Sequence, residues 1–187
     1  MTIGFAMCGS FCTFHQVFPI MEALTKEHQV IPIFSPAAAG TDTRFGSAEN
    51  HLKRAEEICQ TAVLTEIRQV EPIGPKKLLD ALIIAPCTGN TLAKLAHSIA
   101  DTAVTMAAKS HLRNGRPVII AVSTNDALAG AAENIGRLIV RKNYYFVPFG
   151  QADAVGKPTS MVADFTKIPP TLSEALEGRQ IQPILFV

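Results

Sequence analysis

No stretch of this chain stays apolar for the roughly 18 to 20 residues that a bilayer span requires. Its start, Met1-Thr2-Ile3-Gly4-Phe5, has no basic residue, and the apolar run ends at Gly9-Ser10, unlike a secretory leader. Charge of one sign is missing too: 17 Lys and Arg stand against 16 Asp and Glu. A nucleic-acid or membrane-surface binder needs a basic excess or a dense basic patch, so neither partner is expected. The four cysteines, at 8, 12, 59 and 87, form no CxxC pair and no zinc-type grouping with histidine, which argues against a metal site. Without a leader these thiols should stay reduced, as in a cytoplasmic protein. Also absent are a GxSxG elbow, a Walker lysine, an HExxH pair and a GxGxxG fingerprint. Serine hydrolase, ATPase, zinc protease and dinucleotide-binding readings therefore lack support.

What is present is a pattern of alternation. Apolar runs at Thr2 to Cys8, Val30 to Phe34, Ala81 to Ala85, Val118 to Val122 and Tyr144 to Val147 are short and nearly continuous. Such runs fit strands covered on both faces. Helical stretches lie between them: Phe14 to Thr25 with Pro19 near its start, Ala48 to Gln60, Thr91 to Ala108 broken near Asp101, and Asp126 to Val140 capped by Asn125 or Asp126. Repeated strand–helix–strand units predict an α/β fold with a doubly wound parallel sheet, a three-layer sandwich of Rossmann or flavodoxin type. With 48% hydrophobic and 18% charged residues, the 187 residues suit one domain over 1–187. From about residue 150 the prolines at 158, 169, 170 and 183 predict an irregular tail, and the apolar Pro183 to Val187 should dock.

In an open parallel sheet the ligand site lies beyond the C-terminal strand ends. Four such ends carry small and hydroxylated residues: Gly9, Ser10 and Thr13; Ser35; Pro86, Cys87, Thr88 and Asn90; Ser123, Thr124 and Asn125. Gly9 lets a ligand approach the backbone, and the helix after Ser10 and Thr13 offers free N–H groups and a positive dipole end. A monophosphate fits that turn; a tight turn with a serine cap is the competing reading. Together the four ends predict a site with many hydrogen bonds and few charges. They suit a phosphate at one side and a flat polar ring between the Pro86–Asn90 and Ser123–Asn125 loops. Cys59 reads as a core residue of a helix face, whereas Cys8, Cys12 and Cys87 adjoin these loops and either role is open. Of the histidines, His28 and His51 read as solvated, His97 and His111 as helix-face residues, and His15 as a helix-start residue.

The run Ala85-Pro86-Cys87-Thr88-Gly89-Asn90-Thr91, continuing through Leu92 to Leu95 to Ala100-Asp101, resembles the PASANT segment of the flavoprotein family that includes flavin-dependent cysteine decarboxylases and flavin prenyltransferases. The Gly9-Ser10 turn resembles that family's FMN-phosphate loop, Ser35 its second-strand hydroxyl, and Thr105 its threonine near the flavin. The resemblance implies FMN as cofactor and a homo-oligomer, trimeric or larger. Two departures stand out. Thr61 to Asp80 contains no histidine where the decarboxylases have a catalytic one, and Val122 to Leu128 keeps only the asparagine of their PxMNxxM clamp. Cysteine decarboxylation is therefore not expected.

Further segments resemble one branch of the family: Ile73 to Asp80, Lys109 to Asn114, Ser123 to Leu128, Tyr145 to Gly150 and Gln180 to Leu185. In that branch the chain is the B component of a pair. It works with a separate A component to oxidise a dihydrodipicolinate-type precursor to pyridine-2,6-dicarboxylate during sporulation. This implies an oxidoreductase component that functions only with its A partner, NAD(P) held on that partner, a small dicarboxylate substrate and a place in the mother-cell cytoplasm. A non-catalytic partner that binds FMN or phosphate, and a flavin-dependent decarboxylase, are the alternatives. Candidate cations for a dicarboxylate are Lys76, Lys77, Lys109, Arg113 and Arg116, although the last three fall toward a helix C-terminus, where basic residues complement the dipole. No residue is an obvious general base.

Overall fold

The structure, a computed structural model, describes residues 1–186. Its centre is built from the apolar runs. Strands β1 (Thr2–Met7), β2 (Gln29–Phe34), β3 (Ala81–Cys87), β4 (Val118–Thr124) and β5 (Tyr144–Phe146) pair in parallel, in the order β2-β1-β3-β4-β5. This is the flavodoxin-type order, whose ligands sit at the switch between β1 and β3. All seven residues of β3 are buried, as expected for a strand covered on both faces. Gly4 in β1 has no room for a side chain: a Cβ there would lie 2.6 Å from Leu79 Cδ1. Pro86 lacks an N–H, and the β3–β4 register shifts between Ile84 and Cys87, where the ladder bond is missing.

The helices are α1 (Phe14–Thr25), α2 (Pro36–Gly40), α3 (Ala48–Cys59), α4 (Ile67–Val70), α5 (Gly89–Ala96), α6 (Ala103–Leu112), α7 (Ala132–Ile139) and α8 (Ile168–Leu176). Right-handed crossovers put α1 on one face and α5, α6 and α7 on the other. Pro19 stays inside α1 with its ring exposed, so the missing backbone bond falls on the solvent side. The Ala-rich stretch does break: α5 ends at Ala96, and Thr102 caps α6 through a reciprocal bond with Thr105.

Three expectations need correction. Helix α7 begins at Ala132 rather than at Asp126; residues 126–131 form turns in which the Asp126 carbonyl accepts from Ala129 and Ala131 N–H. Asp126 cannot cap it, because its carboxylate takes the Thr124 hydroxyl instead. The segment after residue 150 is also more ordered than its prolines imply. Strands β6 (Phe149–Gly150) and β7 (Met161–Ala163) extend the sheet, with β7 antiparallel to Ser123–Thr124 of β4. Pro169 and Pro170 open α8 rather than interrupt it, since the first helical turn has no use for their N–H. The apolar end is tied down through its backbone, Phe149 N–H donating to Ile184 O at 3.0 Å and Phe186 N–H to Phe149 O at 3.3 Å. The expected burial is not met: Leu185 and Phe186 stay 55% and 40% exposed, and Val187 lies outside the described residues.

No helix among the described residues is long and apolar enough to cross a membrane, and none of their His, Cys, Asp and Glu side chains group as a metal site.

Candidate functional site

Strands β1, β3 and β4 end at the same edge of the sheet, and a crevice of about 930 Å³ opens there. Each wall comes from a strand-to-helix turn. After β1, residues Gly9 to Thr13 turn into a short 3-10 helix, Phe11–Thr13, which leads directly into α1. After β3, Thr88 precedes α5 without a side-chain cap bond. After β4, Ser123 to Asp126 close the far side. The first N–H groups of both helical segments thus face an opening rather than a cap, which is how helix starts receive anions.

Side-chain chemistry follows the same edge. Ser10 Oγ and Ser123 Oγ lie 2.8 Å apart, linking the ends of β1 and β4 across the end of β3. Thr13 is turned inward, its hydroxyl donating to Ser10 O at 2.8 Å and holding the turn. The side chains of Thr88, Asn90 and Asn125 line the crevice and have no hydrogen-bond partner among the described residues. Gly89 allows the close approach of the third wall: a Cβ there would stand 2.7 Å from Asp126 Oδ1 and 2.9 Å from Thr124 Oγ1.

Not every candidate residue meets in this crevice. Gly9, Ser10, Thr13, Thr88, Asn90, Ser123, Thr124 and Asn125 line it. Ser35 lies behind it, buried, capping α2 by accepting from Ala38 N–H at 3.2 Å. Pro86 and Cys87 are the buried end of β3, beneath the loop they lead into. Thr105 is elsewhere, on α6 and beside a separate cavity. Beneath the crevice the Cys8 sulfur accepts hydrogen bonds from the Cys87 thiol and from the Thr91 hydroxyl, the latter at 3.2 Å. Those bonds pull the Cys8 thiol below its ordinary range, whereas burial pushes Cys87 well above it.

The structure adds residues that the sequence pattern did not indicate. Thr43, Arg44 and Phe45 form one rim, with the Arg44 guanidinium 4.8 Å from the Phe45 ring centre. Asp153 and Lys157 form another. Two carboxylates, Asp126 and Asp153, and two cations, Arg44 and Lys157, therefore face a crevice that was expected to be poor in charge. Behind it, His51 is buried rather than solvated. Its ring meets Phe14 edge-on at 4.8 Å and stacks with Phe18 at 6.1 Å. Burial first, and the Arg54 charge second, hold His51 below the ordinary histidine range, so it is a neutral packing residue. His28 is half-buried, with an unpartnered Nδ1, and also departs from the solvated reading.

A parallel sheet in this strand order, with two uncapped helix starts and paired serine hydroxyls at its C-terminal edge, defines a flavodoxin-like class of α/β protein. The chain belongs to the Flavoprotein family, whose model matches residues 1–148. It is 45% identical to the B subunit of dipicolinate synthase from Bacillus subtilis, over 98% of this chain and 92% of that protein. Its fold is similar to the crystal structure of the dipicolinate synthase B subunit from Bacillus halodurans, with a TM-score of 0.91, 42% identity and coverage of 100% of this chain and 96% of that one. At 18% identity the fold is also shared with DmrB of Burkholderia xenovorans, a cubic protein cage for redox transfer solved in complex with FMN. There the TM-score is 0.67 and coverage is 94% of this chain and 95% of DmrB.

Proposed function

We propose that the crevice binds FMN and that the chain is the B component of a two-component oxidoreductase. With a separate A component, it would oxidise a dihydrodipicolinate-type precursor to pyridine-2,6-dicarboxylate in the mother-cell cytoplasm of a sporulating bacterium. The observation that carries the cofactor is the pair of open helical starts, after Ser10 and after Thr88, joined by the Ser10–Ser123 hydroxyl contact. This donor set fits a phosphate at the Gly9–Ser10 turn. The unpartnered Thr88, Asn90 and Asn125 side chains fit the polar edge of a flat ring, since an amide both donates and accepts. The nearly full-length match to the Bacillus subtilis relative supports the two-component reading.

Bound there, FMN would supply a two-electron acceptor. The residues of this chain would bind and orient it: Ser10 and Ser123 would position the phosphate end, and Gly89 lets the Thr124–Asp126 wall pack close beside it. Aromatising a dihydropyridine removes a hydride equivalent and a proton, so an acceptor and a base are both needed. No histidine lines the crevice, and both of its carboxylates are already engaged, Asp126 accepting the Thr124 hydroxyl and Asp153 accepting from Gly156 N–H. The missing proton acceptor, and NAD(P) as terminal oxidant, are assigned to the A component. Assembly as a trimer or larger homo-oligomer is part of the same reading and accords with the caged architecture of DmrB.

The test is to purify the chain alone and with the A component, quantify bound FMN by mass spectrometry, and follow dipicolinate formation from precursor and NAD(P)+. The expected result is FMN on this chain and turnover only in the mixture. Turnover by this chain alone at the rate of the mixture would overturn the shared site; absence of FMN from both preparations would overturn the cofactor.

A further inference from the structure

A second cavity, of about 400 Å³, lies between the end of α5, the side of α6 and the start of β5, and it shares no lining residue with the crevice. Leu95, Ile99 and Leu112 give it apolar walls, and Ile99 is left 47% exposed at its opening. Lys109 and Arg113 stand at its rim one helical turn apart. No carboxylate lines the cavity, and neither cation forms an ion pair among the described residues. Asp101, which follows the lining residue Ala100, is held instead by Lys94 at 2.8 Å. Tyr144, only 9% exposed as a residue, also lines the cavity, and its hydroxyl makes no hydrogen bond to another described residue. Basic residues in a last helical turn are stabilised by the dipole alone. The dipole does not account for a half-exposed isoleucine over an apolar cavity at the same opening.

We propose that this cavity binds a small planar dicarboxylate, with its ring between Leu95, Ile99 and Leu112, its two carboxylates on Lys109 and Arg113, and a hydrogen bond from Tyr144. Side chains four apart on a helix have Cβ atoms about 6 Å from each other, a spacing comparable with that of two carboxylates in a 1,3 relation on a six-membered ring. The volume lies within the usual range for a small-molecule site, and apolar walls with a few convergent polar groups are the usual lining. Burial pushes the Tyr144 hydroxyl up to about 12, so it stays a neutral donor at physiological pH. Choosing a pyridine dicarboxylate as ligand rests on the functional reading above; the charge and shape of the cavity do not.

The test is calorimetric titration of the whole chain with pyridine-2,6-dicarboxylate, with benzene-1,3-dicarboxylate as an isostere that lacks the chelating ring nitrogen, and with FMN titrated in parallel. Both dicarboxylates should bind. Lys109→Ala and Arg113→Ala should each weaken them about tenfold and Tyr144→Phe about threefold, the loss of one charge-assisted or one neutral hydrogen bond. FMN affinity should not change in any of the three. Pyridine-2-carboxylate should bind about tenfold more weakly than the 2,6-diacid, having one carboxylate fewer. No binding by the wild-type chain, unchanged affinity in both cation variants, or equal affinity for the monoacid would overturn the proposal. FMN binding without dicarboxylate binding removes the cavity and leaves the crevice; the converse result removes the crevice and leaves the cavity.

Discussion

The crevice at the strand ends and the cavity beside α6 both present donors to an anion, but from opposite ends of helices. In the crevice the donors are backbone N–H groups at two helical starts, supplemented by serine hydroxyls. The cavity lies toward the C-terminal end of α6, where the backbone presents carbonyls, so only side chains can supply positive charge. Charges of both signs are balanced around the crevice, by Arg44 and Lys157 against Asp126 and Asp153. The cavity carries two cations and no acid. Backbone donors are fixed in place by the fold and cannot be mutated away, whereas side-chain cations can. The crevice should therefore be sensitive to added bulk or charge, and the cavity to deletion.

The largest effect should come from reversing the crevice's preference. Ser10→Asp puts a carboxylate where the phosphate would sit, and like charges at close quarters cost several kcal/mol. FMN affinity, read by quenching of flavin fluorescence, should fall about a thousandfold or more, roughly 4 kcal/mol. Dicarboxylate binding at the cavity should be untouched. Unchanged FMN affinity in this variant would remove the phosphate from the Gly9–Ser10 turn.

Acid should next separate the two regions. His111 lies on α6, fully buried, with Nε2 3.0 Å from Pro117 O. Burial is the main cause that lowers it to about 4 from an ordinary 6.5. The unfolded chain binds this proton more readily than the folded one, so stability is complete above about pH 6.5 and is lost as pH falls toward 4. The loss should approach roughly 3 kcal/mol, from 1.36 kcal/mol per unit. Urea titrations across that window should show it, and His111→Gln, which keeps a donor for Pro117 O, should flatten it. A wild-type stability independent of pH over the same window would contradict this assignment. His51 shifts in the same direction, so a residual slope should persist in the variant.

A smaller change probes the bridge within the crevice. Ser123→Ala removes the hydroxyl 2.8 Å from Ser10 Oγ while leaving every backbone donor in place. Loss of one neutral hydrogen bond is worth about 1 kcal/mol, so FMN should bind about fivefold more weakly. A thousandfold loss would show that Ser123, not the helix starts, carries the affinity.

Much of this contrast could be read from the sequence, because its strongest signals are local. Phe14–Thr25 is helical over the residues its pattern indicates, and the buried strands follow their apolar runs. Glycines and hydroxyls at strand ends likewise marked three walls of the crevice. What the sequence concealed depends on partners distant along the chain. Asn125 and Asp126 have the chemistry of a helix cap, but Thr124 claims the Asp126 carboxylate, and the helix starts later. Arg44, Asp153 and Lys157 reach the crevice from loops whose course is set only by the folded sheet. His51 is a different kind of miss. Ala48, His51 and Ala55 have the three- and four-residue spacing of one helix face, so the signal for burial was present beneath a polar residue type.

The slightest expected effect is also the one that compares the two regions in a single experiment. Raising ionic strength from about 0.01 to 1 M shortens the Debye length from about 30 to 3 Å. An anion entering the cavity meets two uncompensated cations at an exposed rim, so screening removes a net attraction. An anion entering the crevice meets equal numbers of carboxylates and cations at the rim, and its main donors are dipoles within contact distance. Salt should therefore weaken dicarboxylate binding severalfold and FMN binding by less than about threefold over that range. The Lys109→Ala variant should halve the steeper slope, because one of the two cations is gone. Equal slopes for both ligands would mean that Arg44 and Lys157 act on the bound phosphate without compensation, and that the balance of charge drawn here around the crevice is wrong.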